Sequence, residues 1–126
     1  EWEFAARGGN KSKHYQYSGG KKLAEVAWYG EDWRKGATHD VGTKKPNELG
    51  LYDMSGNVCE WCNDWYGQYS GSAQTDPTGS ISGLFRVLRG GSWIYDAWYC
   101  RSSTRGSIDP DYRYYYDGLR LVLSEL

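Results

Sequence analysis

Apolar positions in this chain fall in short islands separated by glycine, asparagine and charged residues, so no element predicted from them is long. The first island, EWEFAARGG, places Trp2, Phe4, Ala5 and Ala6 at helical spacing and stops at Gly8 and Gly9. No Ser, Thr, Asp or Asn precedes it as a cap, which creates the expectation that the native chain begins earlier. Residues 10–50, rich in Gly, Lys, Asn and Asp, predict a long irregular loop with short extended pieces such as Val26–Tyr29. From Pro46 to Gly67, Leu49, Leu51, Met54, Val58, Trp61 and Trp65 alternate imperfectly around a turn signal at Ser55-Gly56-Asn57. A turn-rich linker over residues 75–83 leads into Phe85, Val87 and Leu88, a strand expected to end at a Gly90-Gly91 bend. The closing GLRLVLSEL predicts another short strand of buried type. Together these give an α+β fold, loop-rich with short strands and few helices, in one domain over residues 1–126.

The 126 residues suffice for a single core, and the net charge of -1 argues against a nucleic-acid footprint. No apolar run approaches the roughly 20 residues of a membrane span, so direct membrane insertion by this segment is not expected. The aromatic residues change the picture: 12 Tyr and 7 Trp stand against 2 Phe, with 17 Gly. Tyrosine and tryptophan carry an apolar body and a polar tip, which suits a recognition surface on a loop-rich scaffold.

The 3 cysteines, Cys59, Cys62 and Cys100, are too few for a disulfide framework. Cys59-Glu-Trp-Cys62 could join Cys100 in a thiolate metal site or act as a redox pair. No histidine is spaced to complete a tetrahedral set, and the flanking Val58, Trp61 and Trp65 favour buried thiols on a core strand. The lysines at 11, 13, 21, 22, 44 and 45 read as solvated loop surface.

The words EWEFAARGG, PNELGLYDMSGNV-EW, DWYG, RVLRGGSW and GLRLV resemble the formylglycine-generating-enzyme (sulfatase-modifying-factor) superfamily, a branch of the C-type lectin fold. They cover most of the chain in the family's order. Leu119 stands where the family usually has Phe, and Cys59 where it usually has Trp; the family usually has a further N-terminal portion. The resemblance implies an oxidase whose two copper-binding cysteines fall here on Tyr95 and Cys100. A phenol cannot replace a thiolate for soft Cu(I), so the first ligand is absent and catalysis is not expected. The iron-dependent sulfoxide synthases of the same fold use a histidine-rich facial site, which His14 and His39 do not obviously build. The resemblance further implies a structural Ca2+ held by Asp53, the carbonyls of Gly56 and Val58, and Glu60, in place of which Asp53 and Glu60 could cap turns or pair with cations. Beyond that ion no cofactor is expected.

Residues 94–117 divide into two interleaved sets. Ala97, Cys100 to Ser103, Arg105, Pro110 and Arg113 keep the scaffold's character. Between them stand Ile94, Tyr95, Asp96, Trp98, Tyr99, Thr104, Gly106, Ser107, Ile108, Asp109, Asp111, Tyr112, Tyr114, Tyr115, Tyr116 and Asp117. Six of these sixteen are tyrosine and four aspartate. The pattern resembles variable proteins diversified by retroelements (TvpA-like), in which template adenines of AAY codons are replaced. All of the sixteen except Trp98 are reachable from such codons. The resemblance implies a hypervariable ligand-binding surface on a lectin scaffold, at the cell surface or secreted, with a protein or other cell-surface ligand. The composition agrees independently, because tyrosine with Ser, Asp and Gly is the chemistry of antibody paratopes. Arg101, Arg105, Arg113 and Arg120 are expected to be scaffold, pairing with carboxylates or loop carbonyls. The competing expectations are a metal-dependent oxidase and an undiversified structural or sensor domain of the same fold.

Overall fold

The computed structural model describes residues 1–123. Helix α1 spans Trp2–Ala6 and a single 3-10 turn follows at Gly9–Lys11. A second short helix, α2, covers Leu23–Val26, and strands β1 to β4 cover Cys59–Trp65, Arg86–Arg89, Arg105–Ile108 and Asp117–Gly118. The strands form one sheet in the order β3-β2-β1-β4. The β1–β2 and β2–β3 pairs are antiparallel, and β4 lies parallel to β1.

Helix α1 and strand β2 match the pattern of the sequence, but three expectations are corrected. Residues 23–26 are helical, and the extended piece begins only at Ala27, with φ −145° and ψ 152°. Leu23, Val26 and Ala27 all enter the core with Cys100, so packing settles a segment too short to show a period. Strand β3 went unrecognised because Arg-Gly-Ser-Ile has no apolar alternation; its ladder to β2, Arg86↔Ile108 through Arg89↔Arg105, is made by backbone. The closing strand is reduced to Asp117–Gly118, and Leu119, Leu121, Val122 and Leu123 are exposed. Residues 124–126 lie outside the described part. Pairing ends at Gly118, and just beyond it the Arg120 guanidinium reaches Glu60 and the carbonyl of Tyr52.

The core is small and rich in buried polar side chains, as a loop fold requires. Trp93 and Met54 are its largest fully buried members. Asn47 replaces secondary structure locally. Its amide donates to the Ala5 carbonyl and Ser18 Oγ, while its Oδ1 accepts from the Leu49 and Leu51 amides. Ser55 accepts from the Ser18 amide and donates to the Cys100 carbonyl, and Asn57 exchanges two bonds with the backbone of His39. Two glycines are required by close approach. At Gly56, φ 77°, a Cβ would collide with the Trp28 carbonyl; at Gly91, φ 68°, it would lie 2.8 Å from Cys100 Sγ.

Candidate ligand-binding face

Residues 94–117 are carried by backbone. The Gly30 and Glu31 amides donate to the carbonyls of Tyr95 and Trp93 at 2.8 and 2.9 Å, and the Cys59 amide donates to the Tyr116 carbonyl at 2.8 Å. Ser55 Oγ holds the Cys100 carbonyl and Arg89 the Thr104 carbonyl. Within the segment, the Tyr99, Tyr112 and Asp117 amides close turns onto Asp96, Asp109 and Tyr114. None of these bonds asks for a particular side chain at the sixteen interleaved positions, and none of the sixteen is fully buried.

Residues 112–114 run as irregular chain and 115–116 form a turn closed by the Asp117 amide onto the Tyr114 carbonyl, and the tyrosine rings divide between two sets of neighbours. Tyr112, Tyr114 and Tyr116 form a stacked ladder on one side, with ring planes within 3° and 5° of parallel and centroids 6.1 and 5.1 Å apart. Tyr115 meets Trp93 at 5.9 Å and Tyr116 edge to face at 5.2 Å. Tyr116 also meets Tyr95 edge to face at 5.5 Å, and Tyr95 reaches Tyr99 at 5.2 Å. These spacings lie in the favourable range for aromatic pairs. The three consecutive tyrosines therefore enter no common core.

The ladder borders a pocket of about 480 Å³. Tyr95, Tyr99, Tyr114 and Tyr116 contribute to its lining, as do Thr104 and Gly106 to Ile108 along β3. The scaffold supplies Cys59, Leu88, Gly90, Gly91 and the arginines Arg89 and Arg105. Sequence reasoning missed these scaffold contributors; the RVLRGG word located them but gave no sign that they face a cavity.

The remaining interleaved positions lie apart from this cavity. Asp96 and Asp109 accept hydrogen bonds from the Trp98 and Asp111 amides, and Thr104 Oγ1, at the pocket edge, donates to the Trp98 carbonyl. Trp98 is exposed with Arg101 stacked over it at 3.3 Å, Asp111 is exposed, and Ile94 is half-buried. Asp117 is half-buried, and both its carboxylate oxygens are covered with no hydrogen-bond partner among the described residues. Burial raises its pKa above the usual aspartate value.

The scaffold arginines divide. Arg101 and Arg105 donate to the carbonyls of Trp98 and Gly67, and Arg105 also covers Tyr66 and Tyr69. Arg120 forms a two-armed pair with Glu60. Arg113 departs from expectation: it is exposed and makes no hydrogen bond or ion pair among the described residues. Two lysines depart from a purely solvated reading, since Lys44 sits 3.9 Å over Trp28 and Lys45 pairs with Glu25.

The residues considered for metals have other partners. Glu60 accepts from Arg120 and from Trp2 Nε1, so both its oxygens are occupied and its charge is balanced. Asp53 accepts from the Gly42 amide, and the amide of Gly56 donates to Gly90. Asp53 Oδ1 is covered with no hydrogen-bond partner among the described residues, an open oxygen of the kind a hard cation takes, while the Glu60 oxygens face Arg120. His14 is exposed, while His39 stacks on Trp28 and pairs with Glu31. Among the described residues, no three His, Cys, Asp or Glu side chains converge as a metal-binding group. All three cysteines are free thiols, and Cys59 and Cys100 are buried. Burial pushes the thiols of Cys59 and Cys100 up to about 12 and that of Cys62 up to about 11. Desolvation raises the Tyr95 phenol in the same way, so each of these groups is neutral near pH 7.

Residues 1–125 match the sulfatase-modifying factor enzyme 1-like domain, and the chain belongs to that family, with the loop-rich C-type lectin-like fold of the formylglycine-generating enzymes. Of solved structures, Treponema denticola variable protein 1 is similar at 43% identity and a TM-score of 0.84, over 94% of this chain and 43% of that one. Chaperone protein LppX of Paenibacillus barcinonensis is 38% identical over 99% of this chain and 47% of its own length. The formylglycine-generating enzyme of Streptomyces coelicolor is 38% identical over 88% of this chain and 40% of its own. The chain thus spans less than half the length of these relatives.

Proposed function

We propose that this chain is a non-catalytic ligand-binding domain that displays a hypervariable, tyrosine-rich surface diversified by a retroelement. The observation carrying the reading is a separation: backbone bonds make up most of the hold on residues 94–117, while most of their interleaved side chains border a pocket or face solvent. A face built this way accepts new side chains without losing its frame. The similarity to Treponema denticola variable protein 1 supports the same reading. Tyrosines supply large, rigid contact area at low entropic cost, which suits a protein ligand presented at or outside the cell surface. The proposed binding needs no cofactor.

The test is the DNA beside the gene. A reverse-transcriptase frame next to a near-copy of the segment encoding residues 94–117, differing only at template adenines, is the expected result. Related copies that keep Tyr95 and Tyr114 to Tyr116 unchanged would point instead to an undiversified structural domain. Because relatives of this fold are formylglycine-generating enzymes, Cu(I) titration and an assay on a cysteine peptide complete the test. Stoichiometric copper with turnover would overturn the proposal. Tyr95 at the first copper position leads us to expect neither.

A further inference from the structure

The pocket has a chemical character of its own, and it narrows what the proposed binding face can take. Cys59, Leu88 and Gly106 share one face of the sheet. Leu88 and Gly106 are register partners, and Cys59 lies two residues from Trp61, the β1 partner of Leu88. All three line the pocket with the tyrosines. Of the lining residues only Arg89 and Arg105 carry charge, and both guanidiniums are committed elsewhere. Arg89 pairs with Glu3 at 3.1 Å and donates to the Thr104 carbonyl, while Arg105 donates to Gly67 and covers Tyr66 and Tyr69.

The nearby carboxylate, Asp117, sits on the same face opposite Cys59, but its oxygens are covered and do not line the cavity. A charged group entering here would lose water without meeting a free counter-charge, which is costly. A neutral ring would meet tyrosine faces and edges at the spacings these tyrosines already adopt among themselves.

We propose that the pocket receives one uncharged aromatic side chain projecting from a protein ligand, and that Gly106 sets its depth. Gly106 is one of the sixteen interleaved positions, and its backbone is not left-handed, so it can carry any side chain. A Cβ there would stand 3.7 Å from the Leu88 Cβ, an ordinary contact. A large residue at this position would therefore fill the cavity without disturbing the sheet. Diversification at position 106 would switch the face between a pocket that grips a protruding ring and a flatter aromatic surface. At about 480 Å³ the cavity lies within the range of small ligand sites.

This inference rests on the binding-face reading, yet its test is independent of any gene neighbourhood. N-acetyl-tyrosinamide, N-acetyl-tryptophanamide, N-acetyl-argininamide and N-acetyl-glutamate amide are titrated against the full chain by ligand-observed NMR. The aromatic amides are expected to bind with Kd on the order of 1 mM and the two charged amides at least tenfold more weakly. Gly106→Tyr should abolish aromatic binding with an unchanged circular-dichroism spectrum, and Tyr99→Ala should weaken it severalfold. Trp33→Ala, an exposed aromatic outside the pocket, should not change it. Arginine amide binding as tightly as the aromatic amides would overturn the proposal and make Asp117 the recognition group. Aromatic binding that survives Gly106→Tyr, or no binding by any amide, would overturn it as well.

Discussion

Trp93 and Tyr115 touch, yet they belong to two differently built regions of the molecule. Trp93 is 1% exposed and ends the GGSW word of the scaffold; Tyr115 is 62% exposed and belongs to the interleaved set. Around Trp93 the chain is held by side chains that cannot be exchanged. Asn47, Ser55 and Asn57 stand in for secondary structure, and Glu60 locks Trp2 and Arg120 onto the sheet. Around Tyr115 the chain is held mainly by carbonyls and amides that every residue possesses, with Asp96, Asp109 and Thr104 adding side-chain bonds elsewhere in the segment. The difference teaches where variation is tolerated: a side chain whose neighbours bind only its backbone can change freely.

The sharpest way to break this comparison is to cut the scaffold. Trp93→Ala empties a fully buried site and should cost about 3–5 kcal/mol, read as a loss of denaturation midpoint. Glu60→Ala leaves the Arg120 guanidinium and Trp2 Nε1 without their acceptor. Breaking one side of a buried pair costs about 3–5 kcal/mol, and with Arg120 partly exposed the lower end is expected. Asn47→Ala orphans two amides, a carbonyl and a serine hydroxyl and should cost about 2–3 kcal/mol. If any of these scaffold changes were neutral in urea denaturation, the claim that side chains hold this region would fail.

The second way works on the other region. The triple change of Tyr112, Tyr114 and Tyr115 to Ala removes large exposed rings and the stacking of the ladder. Their expected total cost is under about 2 kcal/mol, less than Trp93→Ala alone, because the rings are largely in water already. Ligand binding should be lost while the melting temperature falls only slightly. A drop as large as that of Trp93→Ala would show that the ladder is structural and would remove the distinction between the regions.

Much of the scaffold was legible in the sequence because each of its words encodes a local physical demand. Gly8-Gly9 ends a helix, Ser55-Gly56-Asn57 turns under the Trp28 carbonyl, and Gly90-Gly91 admits Cys100. The outward character of most interleaved positions was legible too, because so many tyrosines in one short run cannot all enter a small core. What the sequence did not carry was the non-local part. Strand β3 forms because its backbone lies beside β2, and nothing in Arg-Gly-Ser-Ile announces that. Nothing near Glu60 in the sequence points to Arg120, sixty residues away, which pairs with it. Gly106 was one insert among others until its register with Leu88 placed it in a pocket.

Asp117 stands where the two regions meet, and it supplies the smallest and most discriminating effect. It is one of the interleaved residues, yet it pairs with Cys59 in the sheet and its carboxylate oxygens are covered and unbonded. Burial raises its pKa in the folded state. The folded chain therefore holds the proton more tightly than the unfolded chain does, so the ionised form is the disfavoured one. The resulting penalty is absent at pH values below the ordinary aspartate pKa and grows as pH rises through the raised folded value. Asp117→Asn keeps the shape without the charge and should stabilise the fold slightly at pH 7, with the gain fading as the pH is lowered into the aspartate range. Urea denaturation of the two proteins across that interval reads the difference. A gain that persists unchanged at low pH would mean the carboxylate is not desolvated, and Asp117 would then belong with the freely exchangeable side chains rather than at the boundary.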